Sequence, residues 1–184
     1  YEFRALDKAI SYCKKLDIAI QAGGNVGAWP KKMATIFKRV YTFEPSSENF
    51  GYLRKNVKEP NIFSFNAALW GTMGRLGIQE NPSNCGDDRT VPGDTVEAIT
   101  IDSLELDPDL IYLDIQGDEY QALLGAKNTI ERWSPVIGIE VDGDLAMKHG
   151  TSPLDYLLSL GYKHVHKHIH DRILIREALL HTAA

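Results

Sequence analysis

A run of apolar residues near the start of the chain ends directly in a glycine-rich turn. The stretch LDIAIQAGGNVGAWPKK, residues 16–32, places Gly23, Gly24 and Gly27 between a predicted strand and a predicted helix. Glycines at such a point let the backbone turn sharply and approach a ligand without Cβ clashes. The start of the following helix would offer unpaired N–H groups to a carboxylate or a phosphate. The turn is therefore a candidate ligand-binding loop, with a plain strand-to-helix turn as the alternative.

A carboxylate further along the chain supports a ligand at this turn. Glu44 ends the second predicted strand, precedes Pro45 and lies 21 residues after Gly23. A carboxylate about 20 residues beyond a glycine turn is typical of sites that bind the ribose hydroxyls of a nucleoside cofactor. The dinucleotide motif G-x-G-x-x-G fails, because its second and third glycines would fall on Asn25 and Ala28. The pattern predicts a nucleoside-containing cofactor and disfavours an NAD-dependent oxidoreductase.

Acidic residues that follow later predicted strands are candidates for a general base. Asp114 and Glu140 end two of these strands, Asp142 follows closely, and His149 is the next candidate along the chain. A base needs only hydrogen-bond reach to the proton that it removes. We take Asp114, Glu140 and Asp142 as the predicted catalytic residues, with ordinary strand-end carboxylates as the alternative.

Two further acids lie close to these candidates in the sequence. Asp118 and Gln121 have the spacing of a capping box, so a role at the start of a helix is favoured over catalysis for Asp118. Glu119 is expected to support either helix packing or the site.

Four histidines alternate near the end of the chain, as His164, His166, His168 and His170. Alternate residues share one face of a strand, which makes a metal site one interpretation. The strand is expected to bend near Lys167, and Asp171 is the one acid that accompanies the histidines. An exposed hairpin is therefore favoured, and no metal site is predicted.

Strand-like and helix-like segments alternate along the chain. Strands are predicted over 16–21, 39–44, 61–69, 109–116 and 134–142, with a closing hairpin from residue 162 and helices at 4–15, 118–129 and after residues 28, 46 and 152. This order predicts an α/β, doubly wound (Rossmann-like) fold. Its mainly parallel sheet would have about seven strands, a C-terminal antiparallel hairpin and helices on both faces. One domain is expected over residues 1–184, with an irregular substrate-side loop over about 80–95 and Trp133 in the core.

Six blocks of the sequence follow one another as they do in FkbM-type methyltransferases. They are IAIQAGGNVGAW, VYTFEPSSENFGYLRKN, FNAALWGTMG, AITIDSL, DLIYLDIQGDEYQALLGA and PVIGIEV. The chain resembles this family over roughly residues 17–177, and the pair TIDSL and LDIQGDEYQALLGA is the most specific part. The resemblance implies a class I methyltransferase that uses S-adenosylmethionine (SAM). Such enzymes usually methylate a hydroxyl group of a sugar or a natural product.

The resemblance also implies residues for the methionine portion of SAM. Gly23, Asn25 and Gly27 would cradle this portion, because they match the glycine turn of the family. Asp114, at the end of the fourth strand, would face the methionine amine or the transferred methyl group.

The nucleoside portion of SAM has its own expected residues. By the same resemblance Glu44 would hold the ribose hydroxyls, and Asn66 with Ala67 would flank the adenine. The full set of expected cofactor-binding residues is Gln21, Gly23, Gly24, Asn25, Gly27, Glu44, Pro45, Asn66, Ala67 and Asp114.

Three positions depart from the family pattern. The family usually has an acid where this chain has Gln21, a lysine at Tyr112 and a glutamate at Gln116. Gln21 can form hydrogen bonds but cannot neutralise the ammonium group of the cofactor. A nucleoside-binding module with weakened catalysis is therefore a second interpretation, ahead of the less favoured oxidoreductase.

The composition limits the partners that we expect. A net charge of −5 and a pI of about 5.7 argue against binding to nucleic acid or to an anionic membrane. Neither a membrane-spanning apolar run nor a signal-peptide pattern is present in the sequence. Cys13 and Cys85 have no metal-like spacing and suit a reducing compartment. We expect a cytoplasmic protein with a small-molecule or carbohydrate acceptor and make no prediction of its oligomeric state.

Overall fold

A seven-stranded sheet forms the centre of the protein. The structure is a computed structural model that describes residues 3–79, 81, 88–141, 143 and 147–176. The described strands are β1 (Ile18–Ala22), β2 (Arg39–Phe43), β3 (Ile62–Phe65), β4 (Ala67–Leu69), β5 (Gly74–Gln79), β6 (Arg89–Ile99), β7 (Leu110–Leu113), β8 (Val136–Glu140), β9 (Tyr162–His168) and β10 (Asp171–Arg176). The central sheet has the order β3–β2–β1–β7–β8–β10–β9, and β10 pairs antiparallel with both of its neighbours. The predicted mainly parallel sheet with a closing antiparallel hairpin is confirmed.

Helices cover both faces of this sheet, as predicted. The described α-helices are α1 (Arg4–Ile10), α2 (Ala28–Ala34), α3 (Ser47–Asn56), α4 (Glu119–Leu124), α5 (Lys127–Trp133) and α6 (Pro153–Ser159). Because side chains alternate along a strand, β1 contributes Ile18 and Ile20 to one core and Ala19 to the other. The first core includes residues of α4, α5 and α6, and the second includes residues of α1 and α2.

The segment between β3 and β7 forms a second, three-stranded sheet with the order β4–β6–β5. The single strand predicted over 61–69 is wrong, because β3 pairs with β2 whereas β4 pairs with β6. The irregular loop predicted over about 80–95 is also wrong for residues 89–95, which belong to β6. Residues 89–91 form a strand because residues 77–79 of β5 pair with them, and the register shifts before the pairing resumes at Val96. Residues 80 and 82–87 of the predicted loop lie outside the described residues.

The single helix predicted over 118–129 is two helices, which are separated at Gly125. A Cβ at Gly125 would lie 2.0 Å from the carbonyl oxygen of Trp70, so the backbone passes directly against the second sheet at this point. Asp102 then caps α5, because its Oδ1 accepts hydrogen bonds from the backbone N–H of Thr129 at 2.8 Å and from the Thr129 hydroxyl at 2.8 Å. The block TIDSL, which contains Asp102, therefore fixes the start of α5.

Two smaller predictions also differ from the structure. The first helix ends at Ile10 instead of continuing to residue 15. Trp133 is 45 % exposed at the end of α5 instead of buried, and the Arg132 guanidinium lies 4.8 Å from its ring centroid. None of the helices among the described residues combines the length and the apolar character needed to cross a membrane.

Candidate active site

A cavity that is partly open to solvent lies at the carboxyl ends of β1, β2 and β7. The predicted site residues that line it are Gly23, Asn25, Glu44, Pro45, Ala67, Asp114 and Glu140. Polar and aromatic residues that the sequence did not assign to the cofactor also line it, namely Trp29, Asn49, Asp88, Thr90, Gln116 and Asp118. The cavity is therefore at the edge of the sheet where the sequence predicted a ligand.

The glycine turn brings the end of β1 against the end of β7. Gly23 has a φ of +83°, and a Cβ on this residue would lie 1.9 Å from the carbonyl oxygen of Asp114. The backbone N–H groups of Gly23 and Gly24 both donate to the carbonyl oxygen of Phe43, at 3.1 and 3.0 Å. Only glycine fits this approach, because any other residue would overlap the backbone of the neighbouring strand.

Glu44 is held on the cavity wall by the two loops that flank it. Its side chain is almost fully buried, Oε2 accepts from the backbone N–H of Asn25 at 2.7 Å, and Oε1 accepts from that of Ser46 at 2.9 Å. Burial raises the pKa of Glu44 to about 7, and the charge of Asp88 adds to this, whereas the two backbone donors oppose it. Each carboxylate oxygen retains a further lone pair that can accept a hydrogen bond from a ligand.

Four of the expected cofactor residues lie behind the cavity wall, namely Gln21, Gly24, Gly27 and Asn66. The Asn66 amide donates to the carbonyl oxygens of Glu44 and Pro45 at 2.9 and 3.1 Å, and its oxygen accepts from the Ser47 hydroxyl at 3.2 Å. Asn66 therefore positions the loop that carries Glu44, and its polar atoms already have partners within the protein.

Gln21 stabilises the glycine turn from inside the sheet. Its amide donates to the carbonyl oxygens of Ala22 and Gly23, both at 2.9 Å, and its oxygen accepts from the Thr42 hydroxyl at 2.5 Å. A carboxylate at this position could not donate to the two carbonyl oxygens. Gln21, where the family usually has an acid, therefore has a structural role, although it provides no charge beside the cavity.

An acidic pair lies at the other end of the cavity, after β7 and β8. The Gln116 amide donates to Oε2 of Glu140 at 3.1 Å and, more weakly, to Oδ1 of Asp114 at 3.4 Å. Burial raises the pKa of Glu140 to about 9, and the charge of Asp114 and a hydrogen bond with it act in the same direction. The structure thus brings together two of the three predicted catalytic residues. The third, Asp142, lies outside the described residues.

The aromatic residues behind this pair fix the wall of the cavity. Tyr112, where the family usually has lysine, is fully buried and donates to Oδ1 of Asp171 at 2.5 Å. Its ring lies against Gly138, where a Cβ would be 2.4 Å from the ring. The Trp29 ring, which lines the cavity, packs on Tyr112 with centroids 5.0 Å apart. Tyr112 therefore supports the site through Trp29 and does not reach the cavity itself.

Asp118 is the centre of a polar cluster on the third side of the cavity. Its Oδ1 lies 2.8 Å from Lys148 Nζ and 2.8 Å from His149 Nε2, and its Oδ2 accepts from the Thr90 hydroxyl at 2.5 Å. Asp118 is the N-cap residue of α4, as predicted, but the predicted capping box is wrong because its side chain makes no capping hydrogen bond. The edge of the Trp70 indole packs against His149, with ring centroids 5.5 Å apart. No local signal could reveal this cluster, because its members are far apart in sequence.

The alternating histidines lie on β9 and in the turn that follows it. His164 Nε2 lies 2.8 Å from the carbonyl oxygen of His166, and β9 is the outermost strand of the sheet. Within the part of the chain that the structure describes, no group of three or more His, Cys, Asp or Glu side chains is arranged to hold a metal ion.

Glu119 should make the stability of the protein depend on pH. Glu119 is almost fully buried, its Oε1 accepts from the backbone N–H of Ile115 at 2.9 Å, and burial raises its pKa from 4.5 to about 7. The folded protein therefore binds this proton more tightly than the unfolded chain does. The contribution of Glu119 to the free energy of unfolding should decrease as pH rises from about 4.5 to 7 and change little above that range.

The Glu119→Gln variant tests this effect. The stability of the wild type relative to this variant should decrease by about 2–3 kcal/mol between pH 5 and pH 8 in urea unfolding. Glu97→Gln is the matched control, because Glu97 is an exposed residue of β6. An equal stability difference at both pH values would contradict the buried carboxyl as the cause.

The fold is the Rossmann-like fold of class I methyltransferases. Two solved structures with the same overall fold cover nearly the whole of both chains. SMU.1697c from Streptococcus mutans, solved in complex with SAH, has a TM-score of 0.57 at 12 % identity and covers 95 % of this chain and 98 % of its own. An rRNA methylase from Streptococcus thermophilus has a TM-score of 0.57 at 12 % identity and covers 92 % of each chain. These structural similarities show that the chain has the same overall fold as the two proteins.

The chain belongs to the FkbM methyltransferase family, because the model of the methyltransferase FkbM domain matches residues 21–164. SAM is the cofactor of this class of methyltransferase. An FkbM methyltransferase structure from Methylobacillus flagellatus KT has a TM-score of 0.57 at 19 % identity over 86 % of this chain. The present chain spans 43 % of the length of that protein. No curated protein sequence matches the chain significantly.

Proposed function

We propose that this protein transfers a methyl group from SAM to a hydroxyl group of a small molecule or a sugar. The observation that carries the proposal is the cavity, which has Glu44 at one end, the pair of Asp114 and Glu140 at the other, and Gly23 against Asp114 between them. Among the described residues, those that line the cavity include neither lysine nor arginine. A nucleic-acid substrate would need such residues for its phosphates, so a small hydroxyl compound is favoured.

The residues of the cavity fit the cofactor that the family uses. Gly23 presents backbone without a side chain, and Glu44 keeps free lone pairs for the two ribose hydroxyls. Pro45 and Ala67 would pack against the adenine, and Asn25 would lie beside the methionine portion. The bound cofactor supplies an activated methyl group on a sulfonium, so the protein must mainly orient the acceptor and remove its proton.

Glu140 is our candidate for the base that takes the hydroxyl proton, with Asp114 beside it. Once ionised, Glu140 is a stronger base than an exposed carboxylate, because burial and Asp114 both favour its protonated form. The Gln116 amide, which donates to both carboxyl groups, would orient the pair toward the acceptor. Asp142 remains a predicted catalytic residue that the structure does not test.

The proposal is tested by ligand binding and methyl transfer on the same preparation. Calorimetry should show one molecule of S-adenosylhomocysteine bound per chain and no comparable binding of NAD. Methyl transfer from radiolabelled SAM should then be measured with a panel of sugars and hydroxylated natural products, with an rRNA fragment and an amine panel as alternatives. Labelling confined to RNA or to amines would contradict the proposed acceptor class.

Methyl transfer should depend on pH through Glu140. Because only the ionised form can accept the proton, kcat/KM should rise by about tenfold per pH unit well below pH 9 and level off above it. The Glu140→Gln variant should lose most of the activity and this pH dependence, whereas Glu97→Gln should retain both. An unchanged pH profile in Glu140→Gln would assign the base to another group.

Gln21 favours one alternative, a nucleoside-binding module with little catalytic activity. Its side chain is neutral and therefore cannot neutralise the cofactor's ammonium group. Its amide already has hydrogen-bond partners within the protein. This alternative predicts that S-adenosylhomocysteine binds but that no hydroxyl, amine or RNA acceptor is labelled. The family match supports either of these functions over an NAD-dependent oxidoreductase.

A further inference from the structure

The second sheet reaches across the cavity through the start of β6. Asp88, directly before this strand, accepts from the Asn49 amide on α3 at 3.3 Å. Thr90, two residues later, donates to Asp118 at the other side of the cavity at 2.5 Å. Both Asp88 and Thr90 line the cavity. One short segment is thus attached at both sides, and its two polar side chains face the same cavity.

The carboxylate of Asp88 is held in place by neutral donors. Oδ1 accepts from the backbone N–H of Asn81 at 2.9 Å, and Oδ2 accepts from the amide of Asn49, a side chain that is almost fully buried. No lysine, arginine or histidine of the described residues forms an ion pair with Asp88. Each oxygen therefore has one partner and can accept another hydrogen bond. This is an oriented, charged acceptor in the wall of the cavity.

The strand order indicates which part of the cofactor this acceptor faces. The cavity extends from Asp114 after β7, past Gly23 after β1, to Glu44 after β2 and Ala67 after β3. If Glu44 holds the ribose, the base lies on the β2–β3 side, away from Asp114. Asp88 is attached to α3, the helix that follows β2, and its charge acts on Glu44. It is therefore at the end of the cavity that would receive the base.

The residue expected to flank the adenine, Asn66, lies behind the cavity wall. Both N–H groups of the Asn66 amide are used by the carbonyl oxygens of Glu44 and Pro45, and its oxygen accepts from Ser47. Pro45 and Ala67 have no polar side-chain atoms. Asp88 offers a charged acceptor at this end of the cavity, and the exocyclic amino group of an adenine is a donor.

We infer that Asp88 accepts a hydrogen bond from the 6-amino group of the cofactor's adenine, so that the second sheet selects adenine over other bases. The inference rests on the proposed function, since it needs an adenosyl cofactor in this cavity. Asn49 and Asn81 are positioning groups, because they hold the carboxylate of Asp88. Asp88, the residue that would select adenine, thus comes from the segment directly before β6, which follows β1 to β3 in sequence.

The experiment compares two nucleosides that differ at one position. S-Adenosylhomocysteine has a 6-amino donor, whereas S-inosylhomocysteine has a 6-oxo acceptor in its place. The wild type should bind the adenosyl compound about tenfold or more tightly, as expected for one hydrogen bond to a charged group. In Asp88→Asn the amide can donate to the 6-oxo group, so this preference should disappear or reverse.

The ratio of the two affinities is measured on one preparation, so a partly unfolded sample does not change it. Asp94→Asn is the matched control, since Asp94 is an exposed acid of the same strand that pairs with Arg75, and it should keep the wild-type ratio. A wild type that binds S-adenosylhomocysteine together with an unchanged ratio in Asp88→Asn would overturn the inference and leave the proposed function intact. A wild type that binds neither compound would overturn both.

Discussion

Replacing Gly23 by alanine is expected to destabilise the protein by about 3 kcal/mol or more. The new Cβ would lie 1.9 Å from the Asp114 carbonyl oxygen, and the residue would have to keep a φ of +83°. Neither problem can be relieved by a side-chain movement, because the clash is with a backbone carbonyl oxygen and φ is a backbone angle. Urea unfolding measures the loss, and cofactor binding should be lost with it, because the turn and Asp114 form one wall of the cavity.

Gly51→Ala provides the control for this prediction. Gly51 lies within α3 and has no atom within 4 Å of its added Cβ. Alanine there should be neutral or stabilise the helix by about 0.5–1 kcal/mol. A Gly23→Ala variant as stable as the wild type would show that the close contact between β1 and β7 is not required.

Replacing Glu44 should produce the largest loss of cofactor affinity among the cavity residues. The Glu44→Gln variant is expected to bind S-adenosylhomocysteine about 10- to 100-fold more weakly, since it replaces charge-assisted hydrogen bonds with neutral ones. Glu44→Ala should lose more, up to a few kcal/mol, because it also leaves the N–H groups of Asn25 and Ser46 unpaired. Isothermal titration calorimetry at pH 8 measures both changes.

The same residue predicts how binding depends on pH. Because the pKa of Glu44 is raised to about 7 in the free protein, affinity should decrease as pH falls below about 7 and the carboxyl becomes protonated. Glu48→Gln is the control, since Glu48 is an exposed residue in α3, the helix that follows Glu44. Equal affinities for Glu44→Gln and the wild type would remove Glu44 from the site.

Much of the fold and one end of the site could be predicted because their signals are local. The strands β1, β7 and β8 at the middle of the central sheet are short and mostly apolar, and the turn at Gly23 follows its strand directly in sequence. Glu44 could be placed because parallel strands end at the same edge, so a strand-end carboxylate lies beside the turn. The resemblance to FkbM-type enzymes then connected these features to one cofactor.

The parts that could not be predicted depend on partners that are distant in the sequence. Asp118 has the spacing of a helix cap, but its three partners come from β6 and from residues 148 and 149. Asp88 lies in a polar stretch that has the sequence pattern of a loop. Its position could not be predicted, because no local pattern shows that β6, the strand after Asp88, pairs with β5. Asn66 was correctly placed at a strand end, yet its amide binds neighbouring backbone instead of facing the cavity.

A crystal structure with S-adenosylhomocysteine tests the account most directly. It should show the compound in the cavity at the carboxyl ends of β1, β2 and β7, with both ribose hydroxyls within hydrogen-bond distance of Glu44. The homocysteine sulfur should lie on the side of Asp114 and Glu140. Binding at another surface, or a ribose that makes no contact with Glu44, would contradict the account.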